Sequence, residues 1–299
     1  MSDASRVIAV CGHEAANGAA LRGAVAPAVT VVTRGRELYR RVVAARRAGE
    51  RCCVVPMTLG REPGLVADAA RTLRALPAAE RAGTLLAEPF GTPQHLIAWL
   101  RAAAVRVPAT AALLVTAPSG DPFEDAELYR VASLVRRYGS HPVVEVAFGR
   151  GDPDPVEGVR RCRLLGASHV VLLPAAFALP DLPGVPDAGV ECAGPPVSPA
   201  ALARILAERV ADAERRWAEH GDDGIDSGLS AADDHGHAHS HAVGEGHSHA
   251  HPPGAGHTHS HPRPQGDGHD HDHGRGHGHP HAHHHPHARG AGRVTRSNS

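Results

Sequence analysis

The sequence predicts an α/β protein built from two similar parallel-sheet halves, with helices on both faces, followed by a disordered tail. Three observations lead there. Short apolar, β-branched runs alternate with amphipathic runs over residues 6–217, the pattern of buried parallel strands and the helices that cover them. The phrases VVEVAF and HVVLLPAAF late in the chain answer VTVVTRG and CCVVPMTLG early in it, which points to a duplication with a cleft where the halves meet. Beyond Asp222 the apolar period stops, and Gly, Pro and His take over. The expected bounds are 1–108 and 109–219 for the halves and 220–299 for the tail.

Arg6–Cys11 (RVIAVC) reads as the first strand and Val29–Val32 as the second. Arg36–Ala48 is a helix with Leu38, Val42 and Val43 inward, stopped by Gly49. Arg51–Met57 is the third strand, the loop Thr58–Gly64 follows, and Leu65–Leu76 keeps helical spacing. Leu85–Ala87 is a short strand. Thr92 then caps a helix that opens on Pro93, where the missing N–H costs nothing, and runs through Leu96–Val105. The second round repeats this order. Ala111–Thr116 is a strand, and a helix runs from Asp121-Pro122 to near Gly139. Val143–Phe148 is a strand expected to be buried on both faces, and a helix from Pro155 ends at Gly166. Val170–Leu173 closes a right-handed strand–helix–strand unit. Asp181–Pro196 reads as a Pro/Gly loop, and Pro199–Trp217 as a last long helix with Leu202, Ile205, Leu206 and Val210 as its apolar stripe.

The formal charge of −1, with every cation an Arg and no Lys, gives no bulk field favouring nucleic acid or a membrane surface. No run reaches the ~18 apolar residues of a membrane span, and MSDASRVIAVCGHE lacks the apolar stretch of a signal peptide. A cytoplasmic location is expected. Cys11, Cys52, Cys53, Cys162 and Cys192 form no CxxC pair and read as small buried hydrophobes.

Two regions carry chemistry. His13 follows the first strand directly, behind Gly12. That is the C-terminal edge of the sheet, where α/β proteins hold ligands, and an imidazole there can bind a divalent ion or move a proton near neutral pH. Glu145, inside an apolar strand, should face the cleft or be paired. The tail holds twenty of the 25 histidines. They are His235, His237, His239, His241, His247, His249, His251, His257, His259, His261, His269, His271, His273, His277, His279, His281, His283, His284, His285 and His287. Repeated H-x-H in a chain with no core-forming residues lets several imidazoles gather on one Co, Ni, Cu or Zn ion. Protonation below about pH 6 should end that capture.

The stretches VEVAFGRGDPDPVEGVRRCRLLGASHVVLLPAAFAL, CCVVPMTLGREPGLVADAARTL and AEPFGTPQHLIAWL resemble the CbiX-type sirohydrochlorin chelatases, over about residues 6–215. The family's metal-binding histidine after the first strand corresponds to Gly12-His13, with Glu14 where the family has Gly. Its second histidine, in the loop after the third strand, has no counterpart in Leu59-Gly60-Arg61-Glu62-Pro63-Gly64. The resemblance implies a lyase-type chelatase that inserts Co(II), or another divalent ion such as nickel, iron or zinc, into sirohydrochlorin or a related tetrapyrrole precursor of cobalamin or siroheme. His13 and Glu14 would be catalytic. Arg61 would pair with a substrate carboxylate, and Glu62 would substitute as an oxygen ligand. A tetrapyrrole and divalent ions are the partners, a homodimer is allowed for, and nucleic acid and membrane are not expected. The alternative is a non-catalytic Co/Ni/Zn metallochaperone or metal store on a decayed chelatase fold.

Overall fold

The computed structural model describes residues 5–181, 184–185 and 188–231. The twenty tail histidines lie outside the described residues.

Eight strands form two four-stranded sheets. The first half contributes β1 (Arg6–Cys11), β2 (Thr30–Thr33), β3 (Cys52–Met57) and β4 (Thr84–Leu86), in the order β2-β1-β3-β4. The second contributes β5 (Ala112–Pro118), β6 (Val144–Gly149), β7 (Val170–Pro174) and β8 (Val190–Cys192), in the order β6-β5-β7-β8. All pairs are parallel, and in both halves the first strand lies between the second and third. Cys11 aligns with Thr33 and Met57, and Thr116 with Ala147 and Pro174. The loops that leave these strands therefore gather along one edge of each sheet.

Strand alternation decides which face meets which core. Ala9 and Cys11 point into a core shared by both halves, with Val55, Met57, Leu113, Val115 and Leu173. Ile8 and Val10 point the other way, onto Leu38 and Val42 of α1 (Arg36–Arg47) and Leu73 of α2 (Pro63–Arg74). In the second half Leu114 and Ala147 pack on Val159 and Cys162 of α6 (Pro155–Leu164). A short helix, α3 (Ala78–Arg81), leads into β4.

The halves interlock through their last helices. The first half ends in α4 (Pro93–Ala104), which packs on β7 and on α5 (Pro122–Arg137) of the second half. The second half ends in α7 (Pro199–His220), which returns to β3 and β4 of the first. A final turn of helix, α8 (Ile225–Leu229), packs on α2.

Three expectations are corrected. Val143–Phe148 is not buried on both faces, because β6 is an edge strand paired only with β5, and Glu145 is half-buried there. The segment read as loop after Asp181 contains β8, which is too short and too polar to show a strand pattern. Ordered structure continues past Asp222. Ile225 is fully buried, and the Leu86 N–H donates to the Asp223 carbonyl at 2.8 Å. A five-residue helix opened by a left-handed Gly224 (φ +78°) has too few turns to display a helical period.

The cysteine reading holds for four of the five. Burial pushes the thiols of Cys11, Cys53 and Cys162 up to about 12 and that of Cys52 up to about 11, while Cys192 is exposed. Among the described residues no helix is long and apolar enough to cross a membrane.

Candidate metal and ligand site at the junction of the halves

The chain leaves β1 through Gly12 and enters a 3-10 turn, His13–Gly18. Ala16 (φ +48°) and Asn17 (φ +51°) sit in the left-handed region, which side chains other than Gly and Asn seldom adopt. Such backbone persists only where its surroundings over-determine it, and it gathers at functional sites. Here the Asn17 and Ala15 N–H groups both donate to the Gly12 carbonyl, at 2.8 and 3.3 Å. The turn sends neighbouring side chains in opposite directions: His13 faces a cleft, and Glu14 goes inward with no exposed surface.

Glu14 organises the loop after β3. Its Oε2 accepts from the Thr58 hydroxyl at 2.5 Å and from the Leu59 N–H at 2.8 Å. The same hydroxyl accepts from the N–H groups of Gly60 and Glu62, at 2.9 and 3.2 Å. The loop is thus folded around two buried oxygens and presents Glu62 to His13. One Glu62 oxygen pairs with the imidazole Nδ1 and accepts the His13 N–H, and the other accepts the Glu14 N–H. Gly12 is needed for this approach, since a Cβ there would collide with the Glu62 carboxylate. Gly60 (φ +112°) likewise lies against the backbone of Thr92 and Pro93, with no room for a side chain.

The second half supplies the opposite side. Asp121 caps α5 by accepting from the N–H groups of Phe123 and Glu124, and Glu124 returns the bond by accepting the Asp121 N–H at 3.1 Å. This places Glu124 Oε2 3.7 Å from the His13 Nε2. That nitrogen is buried and has no hydrogen-bond partner among the described residues. Arg61 joins the halves from beneath. It is 1% exposed, and its guanidinium donates to the Glu124 carbonyl at 3.2–3.3 Å and to Asp125 at 3.4 Å. Asp125 in turn accepts from the Ser119 hydroxyl and the Gly120 N–H.

The charges shift accordingly. Burial alone would lower the His13 imidazole. The hydrogen bond and charge of Glu62, with the charges of Glu124 and Glu14, outweigh it, and the net shift is upward. Burial pushes Glu14 up to about 7, with Arg61 pulling it down and Glu62 pushing it further up. Burial also raises Glu124.

The cleft beside His13 has a volume of about 800 Å³, within the range of small-molecule sites. His13, Ala16 and Asn17 line it from the first half. Thr116–Ser119, Gly149–Gly151, Asp154–Val156 and Ala178–Asp181 line it from the second.

The structure brings His13, Glu14 and Glu62 together, but in different roles from those expected. Glu14 has no face toward the cleft and acts as the anchor of the β3 loop. Glu62 orients the imidazole. Arg61 is enclosed between the halves, its guanidinium turned to Glu124 and Asp125, and its Nη1 has no hydrogen-bond partner among the described residues. Glu124 was missed. Its sequence signal was the Asp121-x-x-Glu124 capping box, which marks a helix start wherever it occurs and says nothing of what lies across from it. Among the described residues, no group of three or more His, Cys, Asp or Glu side chains is placed to hold a metal ion. His13 Nε2 and Glu124 Oε2 form a two-donor pair, imidazole and carboxylate, of the kind that suits first-row divalent ions and leaves most of the coordination sphere open.

No family model matches the chain. No curated protein matches it either. Among solved structures it is similar to SirB from Bacillus subtilis with Fe3+, at 13% identity and a TM-score of 0.49, over 73% of this chain and 99% of that one.

Proposed function

We propose that the protein is a tetrapyrrole metal chelatase, which takes a divalent ion, Co(II) first, and delivers it to sirohydrochlorin or a related metal-free precursor in the cleft. The observation that carries this reading is the free His13 Nε2 facing Glu124 Oε2 at 3.7 Å across the junction of the halves. The sequence resemblance around His13 and the size of the cleft support it.

The ion is a substrate, so a weak two-donor hold serves it better than a closed cage. The carboxylates of Glu62 and Glu124 beside the imidazole favour its protonated form and shift His13 upward against its burial. Binding the ion requires that proton to leave to solvent. The ion then passes to the macrocycle nitrogens, and the two pyrrole protons must go elsewhere. The departing ion frees His13 Nε2 and Glu124 Oε2, two bases for two protons, which balances the exchange. Glu62 keeps the imidazole oriented through Nδ1. The histidine-rich tail would raise the local supply of ions.

The test is absorbance-monitored metal insertion into sirohydrochlorin with Co(II). His13→Ala should lower turnover by about 100-fold or more, and Glu124→Gln by about tenfold or more. Turnover should rise as pH passes the raised His13 value, since the imidazole must be neutral to ligate. Turnover by His13→Ala within about threefold of the native chain would overturn the reading, at a scale well below that of acid–base catalysis. Ion binding without any turnover would favour the metallochaperone role.

A further inference from the structure

We infer that the second-half wall of the cleft is a recognition site for an anionic group of the ligand, built on Arg150 at the lip and Thr116 on the floor. This rests on the chelatase reading above and deepens it, because it names how a polycarboxylate macrocycle would be held.

Arg150 lines the cleft, is exposed, and takes part in no side-chain hydrogen bond or ion pair among the described residues. The surrounding chain holds it in a left-handed backbone conformation (φ +65°), between Gly149 and Gly151. That conformation is unfavourable for a side-chain-bearing residue and is kept here by packing. A Cβ on Gly151 would press on Phe148 and Ser119 at 2.8–2.9 Å, the Gly151 N–H donates to the Phe148 carbonyl, and the Ser119 N–H donates to the Gly149 carbonyl. The loop is therefore fastened to the ends of β5 and β6, and Arg150 is presented from a fixed base.

Asp154 and Asp181 also line the cleft; Asp154 accepts the Glu157 N–H at 2.8 Å as the cap of α6, and neither is ion-paired with Arg150 among the described residues. Among the described residues lining the cleft, Arg150 is the single arginine, across from the titratable His13.

The second observation is independent. Thr116 also lines the cleft, is 1% exposed, and its hydroxyl has no hydrogen-bond partner among the described residues. A buried hydroxyl without a partner is costly. A ligand oxygen or nitrogen on the cleft floor would satisfy it. Ala117, Pro118, Val156, Ala178, Leu179 and Pro180 supply apolar walls between the two polar points. A flat apolar ring system with carboxylates at its rim fits that distribution. Arg150 thus takes the part that the sequence assigned to Arg61.

The test is equilibrium binding of metal-free uroporphyrin to the full-length protein with a chelator present, read from the Soret band. Arg150→Gln should weaken binding about tenfold at about 50 mM salt, and the difference should shrink toward none near 1 M salt, where an exposed ion pair is screened. Arg150→Lys should recover most of the affinity, because the charge is kept. Thr116→Val, which keeps the shape, should weaken binding about threefold at either salt concentration, as loss of a neutral hydrogen bond does. If Arg150→Gln binds within twofold of the native chain at low salt, the site is overturned while the chelatase reading stands. If the native chain itself binds no uroporphyrin, both fall together.

Discussion

The two halves share a strand order, yet they end their first strands differently. After β1 the chain makes a left-handed turn that exposes an imidazole and buries a carboxylate. After β5 it runs through Ser119 and Gly120 straight into a capped helix of 16 residues. The third strands differ in the same sense. The loop after β3 carries Thr58, Arg61 and Glu62, whereas Ala175–Ala178 after β7 carries no titratable group. The same topology has therefore been given two tasks. The first half holds His13 with Glu14 and Glu62, and the second holds the opposite wall, with the Glu124 carboxylate reaching across. This also explains why a single histidine is enough for the proposed exchange: its opposing donor comes from the other half.

The largest expected effect comes from cutting the tie between the halves. Arg61→Ala leaves Asp125 and the Glu124 carbonyl without their buried cation and opens a void the size of the side chain. Loss of one partner of a buried pair costs about 3–5 kcal/mol. A urea midpoint lowered to match, with the slope unchanged, is the expected result. An unchanged midpoint would show that the helix exchange alone keeps the halves together.

Next comes Glu14, the residue with no equivalent in the second half. Its folded value of about 7 lies above the ordinary 4.5. A raised value means that the folded state holds the proton more tightly. The associated stability is complete below about pH 4.5 and is lost as pH climbs through about 7. Glu14→Gln keeps an oxygen for Thr58 and Leu59 and removes the charge. It should be stabilising by on the order of 3 kcal/mol at pH 8 and close to neutral at acid pH. Thermal unfolding across that range decides the matter, and a gain independent of pH would disprove the titration.

The strand frame was legible because parallel strands read as continuous apolar runs, and β1 occupies the residues expected of it, Arg6–Cys11. Helix starts at Pro93, Pro122 and Pro155 were equally plain, since Thr92, Asp121 and Asp154 are cap residues followed by proline. His13 was legible from its place after a strand. What could not be read was anything set by long-range packing. Glu14 and Arg61 look like solvated loop charges in the sequence, and only the closing of two loops and two halves around them makes them buried. Glu124 needed a partner 111 residues away in the chain to become more than a helix cap. The edge position of β6 depends on sheet order, which composition does not encode.

A smaller effect sharpens the account of His13. Gly12→Ala would push the Glu62 carboxylate aside and cost some stability, since the His13 and Glu14 N–H groups would lose their acceptor. The imidazole would lose the hydrogen bond that outweighs its burial, and its titration should move to lower pH. An NMR titration of His13 reads this directly. A midpoint equal to the native one would mean that Glu124 and Glu14 hold the value without Glu62.

The smallest effect separates position from stability. Asp121 and Asp154 cap α5 and α6 in the same way, through a side-chain oxygen on backbone N–H groups. Replacing either with Ala should cost about 1 kcal/mol, the usual worth of a helix cap. Only the Asp121 cap, however, is paired with a residue of the site, because the Asp121 N–H holds the Glu124 carboxylate that faces His13. Asp121→Ala should therefore slow metal insertion several-fold beyond its stability cost, while Asp154→Ala should not. Equal turnover by the two variants would mean that Glu124 keeps its place without the cap, held by the Arg61 contact to its carbonyl alone.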